Sequence, residues 1–326
     1  MREINYVEAL NEALHEEMEN DKKVIILGED VELAYVFGVT KGLKDKFGGG
    51  RVRDTPISEL GFVGAAVGAA MAGYRPVVEI MFMDFIMLAM DPLVNQAAKL
   101  RYMVGGQLSI PLVVRTPGGG GVQYGPTHSQ VLEAWFMQVP GLKVACPSDP
   151  ADAKGLLKTA IHDDNPVFFC EHKMLYKTRG PVPEGEHIVP FGQAAVKREG
   201  SDITLIGIGY QVLNCLHAAE TLAAEGISAE VVDPRTVAPL DTATLAESVR
   251  KTNRCVVVEE GHLRSGVGAE ISAAIQEEAF DYLDAPVGRV AALNAPIPFE
   301  PALEDFVLPN AANVVEMAKK TLGVIA

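Results

Sequence analysis

Asp54-Thr55-Pro56-Ile57-Ser58-Glu59-Leu60-Gly61-Phe62-Val63-Gly64-Ala65-Ala66-Val67-Gly68-Ala69-Ala70-Met71-Ala72-Gly73 runs directly into Tyr74-Arg75-Pro76-Val77-Val78-Glu79-Ile80-Met81. The first stretch reads as a small-residue helix from Gly61 to Gly73, the second as a strand from Pro76 to Met81. A helix feeding a β-rich apolar strand is the grammar of an α/β fold. Gly61, Gly64, Gly68 and Ala72 recur at helical spacing, leaving one face bare enough for another backbone to approach closely. Glu59 stands at the mouth of that helix. On one reading Ser58 or Asp54 caps the helix and Glu59 sits in its first turn, favoured by the dipole. On the other, Glu59 is a carboxylate held in water-poor surroundings and so a candidate for proton chemistry.

The same alternation extends along the chain. Strands are expected at Val24 to Leu27, Pro111 to Arg115, Lys143 to Cys146 and Val167 to Glu171, with helices at Tyr6 to Asn20, Phe85 to Met103 and Pro150 to Asp163. Lys177 to Pro190, with Pro181, Pro183, Gly185 and Pro190, has the composition of a linker. The pattern then restarts, with strands near Ile203 to Ile208, Ala229 to Val232, Cys255 to Glu259 and Val287 to Ala291. Helices are expected near Leu213 to Ala224, Thr242 to Lys251, Val267 to Glu278 and Asn313 to Leu322. The expectation is two α/β domains, 1–180 and 191–326, joined by 181–190. Each is a largely parallel sheet with helices on both faces.

At 326 residues the chain is long enough for two sizeable cores, and its net charge of −15 argues against nucleic acid and anionic membranes as partners. No apolar run approaches the roughly 20 residues that span a bilayer. Cys146, Cys170, Cys215 and Cys255 show no close pairing and lie mostly in strand-like runs, which suits a reducing compartment. The polar start carries no signal or transit pattern, so a cytoplasmic location is expected.

Candidate chemistry lies in the loops. Strand Pro111 to Arg115 runs into Gly118-Gly119-Gly120-Gly121, then Tyr124-Gly125-Pro126-Thr127-His128-Ser129-Gln130. Such a mobile loop sits at a strand's carboxyl end, where open α/β sheets place ligands. His128, flanked by Thr127 and Ser129, is the most site-like histidine. Asp163 and Asn165, beside the free carbonyls of a helix end, either hold a hard cation or simply stop the helix before Pro166. Gly207-Ile208-Gly209 after a strand, with Asp233 further on, is the start of a dinucleotide fingerprint that lacks its third glycine; tight strand-to-helix turns use glycine without any ligand. His262, in Glu259 to Gly268, either reaches a subunit interface or belongs to a polar loop capping the next helix.

Many ordered motifs carry a resemblance that covers Glu3 to Leu322. They are Leu27-Gly28-Glu29-Asp30-Val31, Asp54 to Glu59, Gly64 to Gly73 followed by Arg75-Pro76, Asp84-Phe85, and Lys99-Leu100-Arg101-Tyr102-Met103. His128-Ser129-Gln130, Pro140-Gly141-Leu142-Lys143, Asp152-Ala153-Lys154-Gly155-Leu156 and Asp233-Pro234-Arg235 complete the set. On these the chain resembles the β subunit of the thiamine-diphosphate-dependent first component of 2-oxoacid dehydrogenase complexes, such as pyruvate and acetoin dehydrogenases.

The resemblance implies a transketolase-like pyrimidine-binding domain followed by a transketolase C-terminal-like domain. It implies that Glu59 hydrogen-bonds the aminopyrimidine ring nitrogen and favours the imino form of the amino group. Phe85 would stack on that ring, Leu60 and Met81 would line the slot, and His128 would help bind the 2-oxoacid or assist acyl transfer to lipoamide. Leu112, Ala160, Ile161, Asp163 and Asn165 match a structural potassium site.

The departures matter as much. Leu88 stands where some pyruvate enzymes carry a polar side chain, and Asp30 to Phe37 is individual. The Gly-Asp-Gly and Asn signature that holds magnesium and the diphosphate is absent; Gly28-Glu29-Asp30 does not replace it. The diphosphate half of the site must then come from another polypeptide; the resemblance implies that this is an α subunit, in a heterotetramer of two α and two β chains that docks on a lipoyl acyltransferase core. Pyruvate is the leading substrate, acetoin and branched-chain 2-oxoacids the alternatives. A nicotinamide-dependent dehydrogenase and a non-catalytic docking subunit are the readings from other classes.

Overall fold

Residues 2–33 and 36–325 are described by the computed structural model; Ala34 and Tyr35, within the individual stretch Asp30 to Phe37, lie outside the described residues. The chain divides into two units, Met1–Gly118 with Trp135–Phe191, and Gly119–Ala134 with Gly192–Ala326. The excursion of Gly119–Ala134 into the second unit has no signal in the linear pattern.

The first unit begins with β1 (Arg2–Asn5) and α1 (Tyr6–Asn20). A reciprocal capping box starts α1: Asn5 Oδ1 accepts the Glu8 N–H at 2.8 Å and Glu8 Oε2 accepts the Asn5 N–H at 2.7 Å. β2 (Val24–Gly28), α2 (Leu43–Phe47), β3 (Val52–Asp54), α3 (Glu59–Met71) and β4 (Arg75–Glu79) follow. The single helix expected over Phe85 to Met103 is instead a 3-10 turn (Met83–Ala89), a π-helical turn (Asp91–Ala97) and α4 (Ala98–Met103). Pro92 lacks an N–H to continue a regular ladder. The Asp91 carboxylate accepts from Asn95 Nδ2 at 2.8 Å, bracing the wider turn.

β5 (Val113–Gly118), α5 (Glu133–Met137), β6 (Lys143–Ala145), α6 (Pro150–His162), β7 (Val167–His172) and β8 (Arg179–Val182) complete these elements. The first part of the expected linker is therefore a strand, because β1 offers it an antiparallel partner, with Arg2 opposite Val182. Within the first unit the main sheet runs β6-β7-β5-β4-β2-β3, every pair parallel. β5 and β7 are buried at every residue, the pattern of strands covered on both faces. From β2 the chain steps to β3 on one side and then crosses to β4 on the other. That reversal opens a crevice at the carboxyl ends of β2 and β4, where doubly wound sheets bind ligands.

The second unit contains β9 (Ala195–Arg198), β10 (Ile203–Gly207), α7 (Gln211–Ala224), β11 (Ala229–Asp233), β12 (Thr236–Ala238), α8 (Thr242–Thr252), β13 (Cys255–His262), α9 (Val267–Ala279), β14 (Gly288–Ala292), α10 (Pro301–Val307) and α11 (Ala311–Thr321). Its sheet runs β14-β13-β10-β11-β9, parallel except for the edge strand β9. Ile203, Leu205, Val231, Val256 and Val258 pack against Val212, Cys215, Ala219 and Val314 in one core. The Gly-x-Gly step closes β10 onto α7: a Cβ at Gly207 would lie 2.7 Å from Val212 Cα, and Gly209 has φ +55°. Asp233 is fully buried and accepts the Arg235 N–H at 2.7 Å. All three fingerprint residues, Gly207, Gly209 and Asp233, thus have structural roles of their own.

Candidate active site

Three strand ends of the first unit supply the candidate residues. Glu29 follows β2, Glu59 opens α3 just after β3, and Met81 and Phe85 follow β4. The close packing of β2 on β4 needs Gly28, since a Cβ there would lie 2.5 Å from the Glu79 carbonyl oxygen. Ser58 occupies the N-cap of α3 but makes no capping hydrogen bond, contrary to the capping expectation. Glu59 itself is the first helical residue and is only 3 % exposed. The open N-terminal turn favours a carboxylate there through its dipole.

Glu29 shares this environment. It is 4 % exposed, and its Oε1 has no hydrogen-bond partner among the described residues. Burial, then the neighbouring charges of Glu59 and Asp30, push the Glu29 carboxyl up to about 7. Glu29 thus keeps its proton to near neutral pH beside the Glu59 carboxylate.

Phe85 is half-buried and meets Phe82 edge-on, with centroids 5.8 Å apart; Phe82 in turn meets Phe37 edge-on at 5.6 Å. This train of rings fixes Phe85 while leaving part of it open. Met81 is half-buried, and Leu60 is 56 % exposed. The small-residue face of α3 is also open: nothing lies within 4 Å of a Cβ at Gly64 or Gly68. The close backbone approach expected at that face is not made by this chain's described residues.

Beside the site lies a charged cluster that the linear reading missed. Arg115 (β5) is 1 % exposed and bonds Glu79 (β4) at 2.5 Å and Glu171 (β7) at 2.8 Å. Tyr176 donates to Glu171 at 2.7 Å. Burial works against the Arg115 charge, but Glu171 and Glu79 outweigh it and hold its pKa above the ordinary value. The signal was present: Glu79, Arg115 and Glu171 are opposite charges inside otherwise apolar strand runs, a pattern tolerated only when they meet.

His128 belongs to the second unit. It is half-buried, with Nδ1 3.0 Å from Thr127 Oγ1 and its N–H donating to Gly125 O at 3.3 Å. The glycine loop before it is not left mobile. The Gly120 N–H donates to Glu260 Oε1 at 2.7 Å, and Glu304 accepts from Gly121 N at 2.9 Å and Gln123 N at 3.1 Å. Neither glutamate was singled out from sequence, because their partners are backbone groups that leave no side-chain pattern.

The expected cation ligands cluster in the first unit, but this chain's own cations share their oxygens. Arg75 donates to the carbonyls of Ile161 at 3.0 Å and Asp163 at 3.1 Å. Lys143 pairs with the Asp163 carboxylate, Arg101 donates to Asn165 Oδ1 at 2.8 Å, and Leu112 O accepts the Val167 N–H at 2.8 Å. Ala160 lies buried in the last turn of α6. His262 is exposed at the end of β13, its Nδ1 2.9 Å from Leu293 O.

Comparison with known proteins gives two successive family matches, the first of which runs through Gly119–Ala134. Residues 2–179 match the family described as "Transketolase, pyrimidine binding domain", and residues 192–314 match "Transketolase, C-terminal domain". The chain is 48 % identical over 324 residues to the mitochondrial pyruvate dehydrogenase E1 component subunit beta of Dictyostelium discoideum, covering 98 % of this chain and 91 % of that one. It is 49 % identical over 319 residues to the pyruvate dehydrogenase E1 component subunit beta of Rickettsia felis, with 98 % of both chains covered. The chain belongs to the transketolase-like family of dehydrogenase β subunits. Another relative in this family is the acetoin:2,6-dichlorophenolindophenol oxidoreductase subunit beta of Cupriavidus necator, 47 % identical over 332 residues and covered to 98 % on both sides. The fold of these β subunits extends to more distant proteins. A solved split-gene transketolase, described as an inactive β4 tetramer, superposes with a TM-score of 0.80 at 24 % identity over 98 % of each chain.

Proposed function

We propose that this chain is the β subunit of a thiamine-diphosphate-dependent 2-oxoacid dehydrogenase that oxidatively decarboxylates pyruvate and passes the acyl group to lipoamide. It supplies the aminopyrimidine half of a site completed by an α subunit. The observation that carries this reading is Glu59, a nearly fully buried carboxylate at the switch point of the sheet, in the same crevice region as a half-open phenylalanine. These residues suit an aminopyrimidine: a flat, polar-edged ring needs one carboxylate at its edge and apolar or aromatic surface on its face. Relatives named as pyruvate dehydrogenase β subunits support the substrate.

In this reading Glu59 holds a proton at the pyrimidine ring nitrogen, and burial keeps water from competing for it. Glu29, whose own proton persists to about 7, limits the charge beside Glu59. Phe85, Met81 and Leu60 bind and orient the ring. His128 acts on the substrate or on the acyl group in transit. When bound, thiamine diphosphate supplies the electron sink for loss of carbon dioxide. The absence of Gly-Asp-Gly from the sequence supports a role for the α subunit in holding Mg²⁺ and the diphosphate. Potassium at the oxygens of Leu112, Ala160, Ile161, Asp163 and Asn165 would share those of Ile161 and Asp163 with Arg75 and Lys143, and that of Asn165 with Arg101.

The assembly inferred is a heterotetramer of two α and two β chains docked on a lipoyl acyltransferase core. Four buried free thiols suit a reducing compartment such as the cytoplasm. Among the described residues no helix is long and apolar enough to cross a membrane.

Acetoin is the second substrate reading, favoured by the Cupriavidus necator relative at nearly the same identity. The test is reconstitution with the α subunit, thiamine diphosphate and Mg²⁺, followed by dye reduction with pyruvate, acetoin and branched-chain 2-oxoacids. Activity on pyruvate is expected. Preference for acetoin would reassign the substrate, and inactivity with every substrate would sink the mechanism.

A further inference from the structure

Glu304, on α10, is 0 % exposed. Its two oxygens accept three N–H groups from one short segment. Gly121 N donates to Oε1 at 2.9 Å, and Gln123 donates from N at 3.1 Å and from Nε2 at 2.9 Å to Oε2. A buried carboxylate with that donor set is far more directional than apolar packing, because each bond is charge-assisted. The loop backbone is shaped to reach it. Gln123 has φ +56° and Gly125 +74°, and the Gly119 N–H closes the loop on Gln130 O at 3.2 Å.

Space is reserved for the contact as well. A Cβ at Gly120 would lie 2.7 Å from Leu308 Cδ1 and 3.3 Å from Glu304 Oε1, so only glycine lets the loop sit down on the residues of and just after α10. Glu260 holds the next N–H back, at Gly120, and is itself braced by Gln211 Nε2 at 3.1 Å. Five residues past Gln123 stands His128.

We infer that Glu304 is a positioning residue: its carboxylate fixes the Gly119–Gln130 loop and thereby sets where His128 stands. The inference rests on the role given to His128 above. A loop with three consecutive glycines within it otherwise samples many conformations, and fixing them costs backbone entropy. Glu304 supplies the fixed geometry in which an imidazole can act on a substrate held elsewhere.

The test uses the complex reconstituted with its α subunit, carrying Glu304→Ala, His128→Ala, or both, with Glu304→Gln as the shape-conserving variant. Amide hydrogen exchange at Gly121 and Gln123 reads the anchor directly. Steady-state kcat and KM read its consequence, and thermal unfolding checks the fold. Glu304→Ala should speed exchange at both amides and lower kcat on the order of 10- to 100-fold, with bound thiamine diphosphate unchanged. The double variant should be no slower than His128→Ala alone, and Glu304→Gln should recover part of the loss because it keeps one acceptor oxygen.

Unchanged exchange in the folded variant would overturn the anchor, and losses that multiply in the double variant would overturn action through His128. If Glu304→Ala does not assemble, Glu304→Gln carries the same exchange and kcat criteria. If His128→Ala alone retains full activity, the role proposed for His128 fails, and the positioning inference with it. A parallel measurement of Glu59→Gln then shows whether the broader functional reading survives.

Discussion

At the scale of single residues, the site turns on how two neighbouring carboxylates divide one environment. Replacing Glu59 with Gln keeps the volume and the helix start but removes the carboxylate proposed to hold the pyrimidine proton. Reconstituted activity should fall about 10²–10⁴-fold while circular dichroism and assembly stay unchanged. Glu29 makes a separate, pH-dependent prediction. Its folded-state pKa of about 7 lies above the usual carboxylate value, so the folded protein binds more protons than the unfolded chain between the two. Glu29 therefore costs nothing below the unfolded value and becomes progressively destabilising as pH rises through about 7. The cost approaches about 3 kcal/mol once it ionises fully. Glu29→Gln should be more stable than the parent at pH 8 and nearly equal at pH 4, measured by denaturant unfolding at both pH values. An equal gain at both would show that the effect is not ionisation.

At the scale of elements, the central strands are tied by ion pairs as well as by their ladders. Arg115→Ala leaves Glu79 and Glu171 buried without their cation, and unfolding free energy should drop by about 3–5 kcal/mol. Gly207→Ala forces a methyl group against the α7 backbone and should lower stability by about 1–3 kcal/mol in thermal melts, with no change in NAD(H) affinity. Strands β10, β11, β13 and β14 were legible because their apolar runs are bounded by turn residues, and α1 because its cap and apolar stripe agree. The broken helix after β4 was not, since its apolar spacing continues through Asp91-Pro92 and only the π turn reveals what the proline does. The short strands β1, β3 and β8 exist because partners arrive from distant parts of the chain, which no local pattern records. Glu59 and His128 stood out through their settings. Glu304 did not, because a carboxylate that binds backbone N–H groups can sit in any polar-looking helix.

At the scale of the whole molecule, the sequence carries a carboxylate suited to a pyrimidine but no diphosphate signature. The isolated chain should therefore take up thiamine diphosphate with a Kd no tighter than about 1 mM by titration calorimetry, a binding free energy near −4 kcal/mol. Adding the α subunit and Mg²⁺ should bring affinity into the micromolar range. Tight binding by this chain alone would mean that a phosphate site exists without a recognisable motif. The small-residue face of α3 and Leu60 are open among the described residues, as the proposed α subunit contact would require.

The excursion of Gly119–Ala134 into the second unit has a consequence in time. The ribosome releases this loop early, yet the carboxylate that holds it is made 183 residues after Gly121. The strands that the first unit itself gives to its main sheet end with β7 at His172, so these six can pair while the loop still lacks its anchor. A nascent or truncated chain can thus hold six paired strands and an unset histidine. Maturation of the site waits on nearly the last helix to be translated.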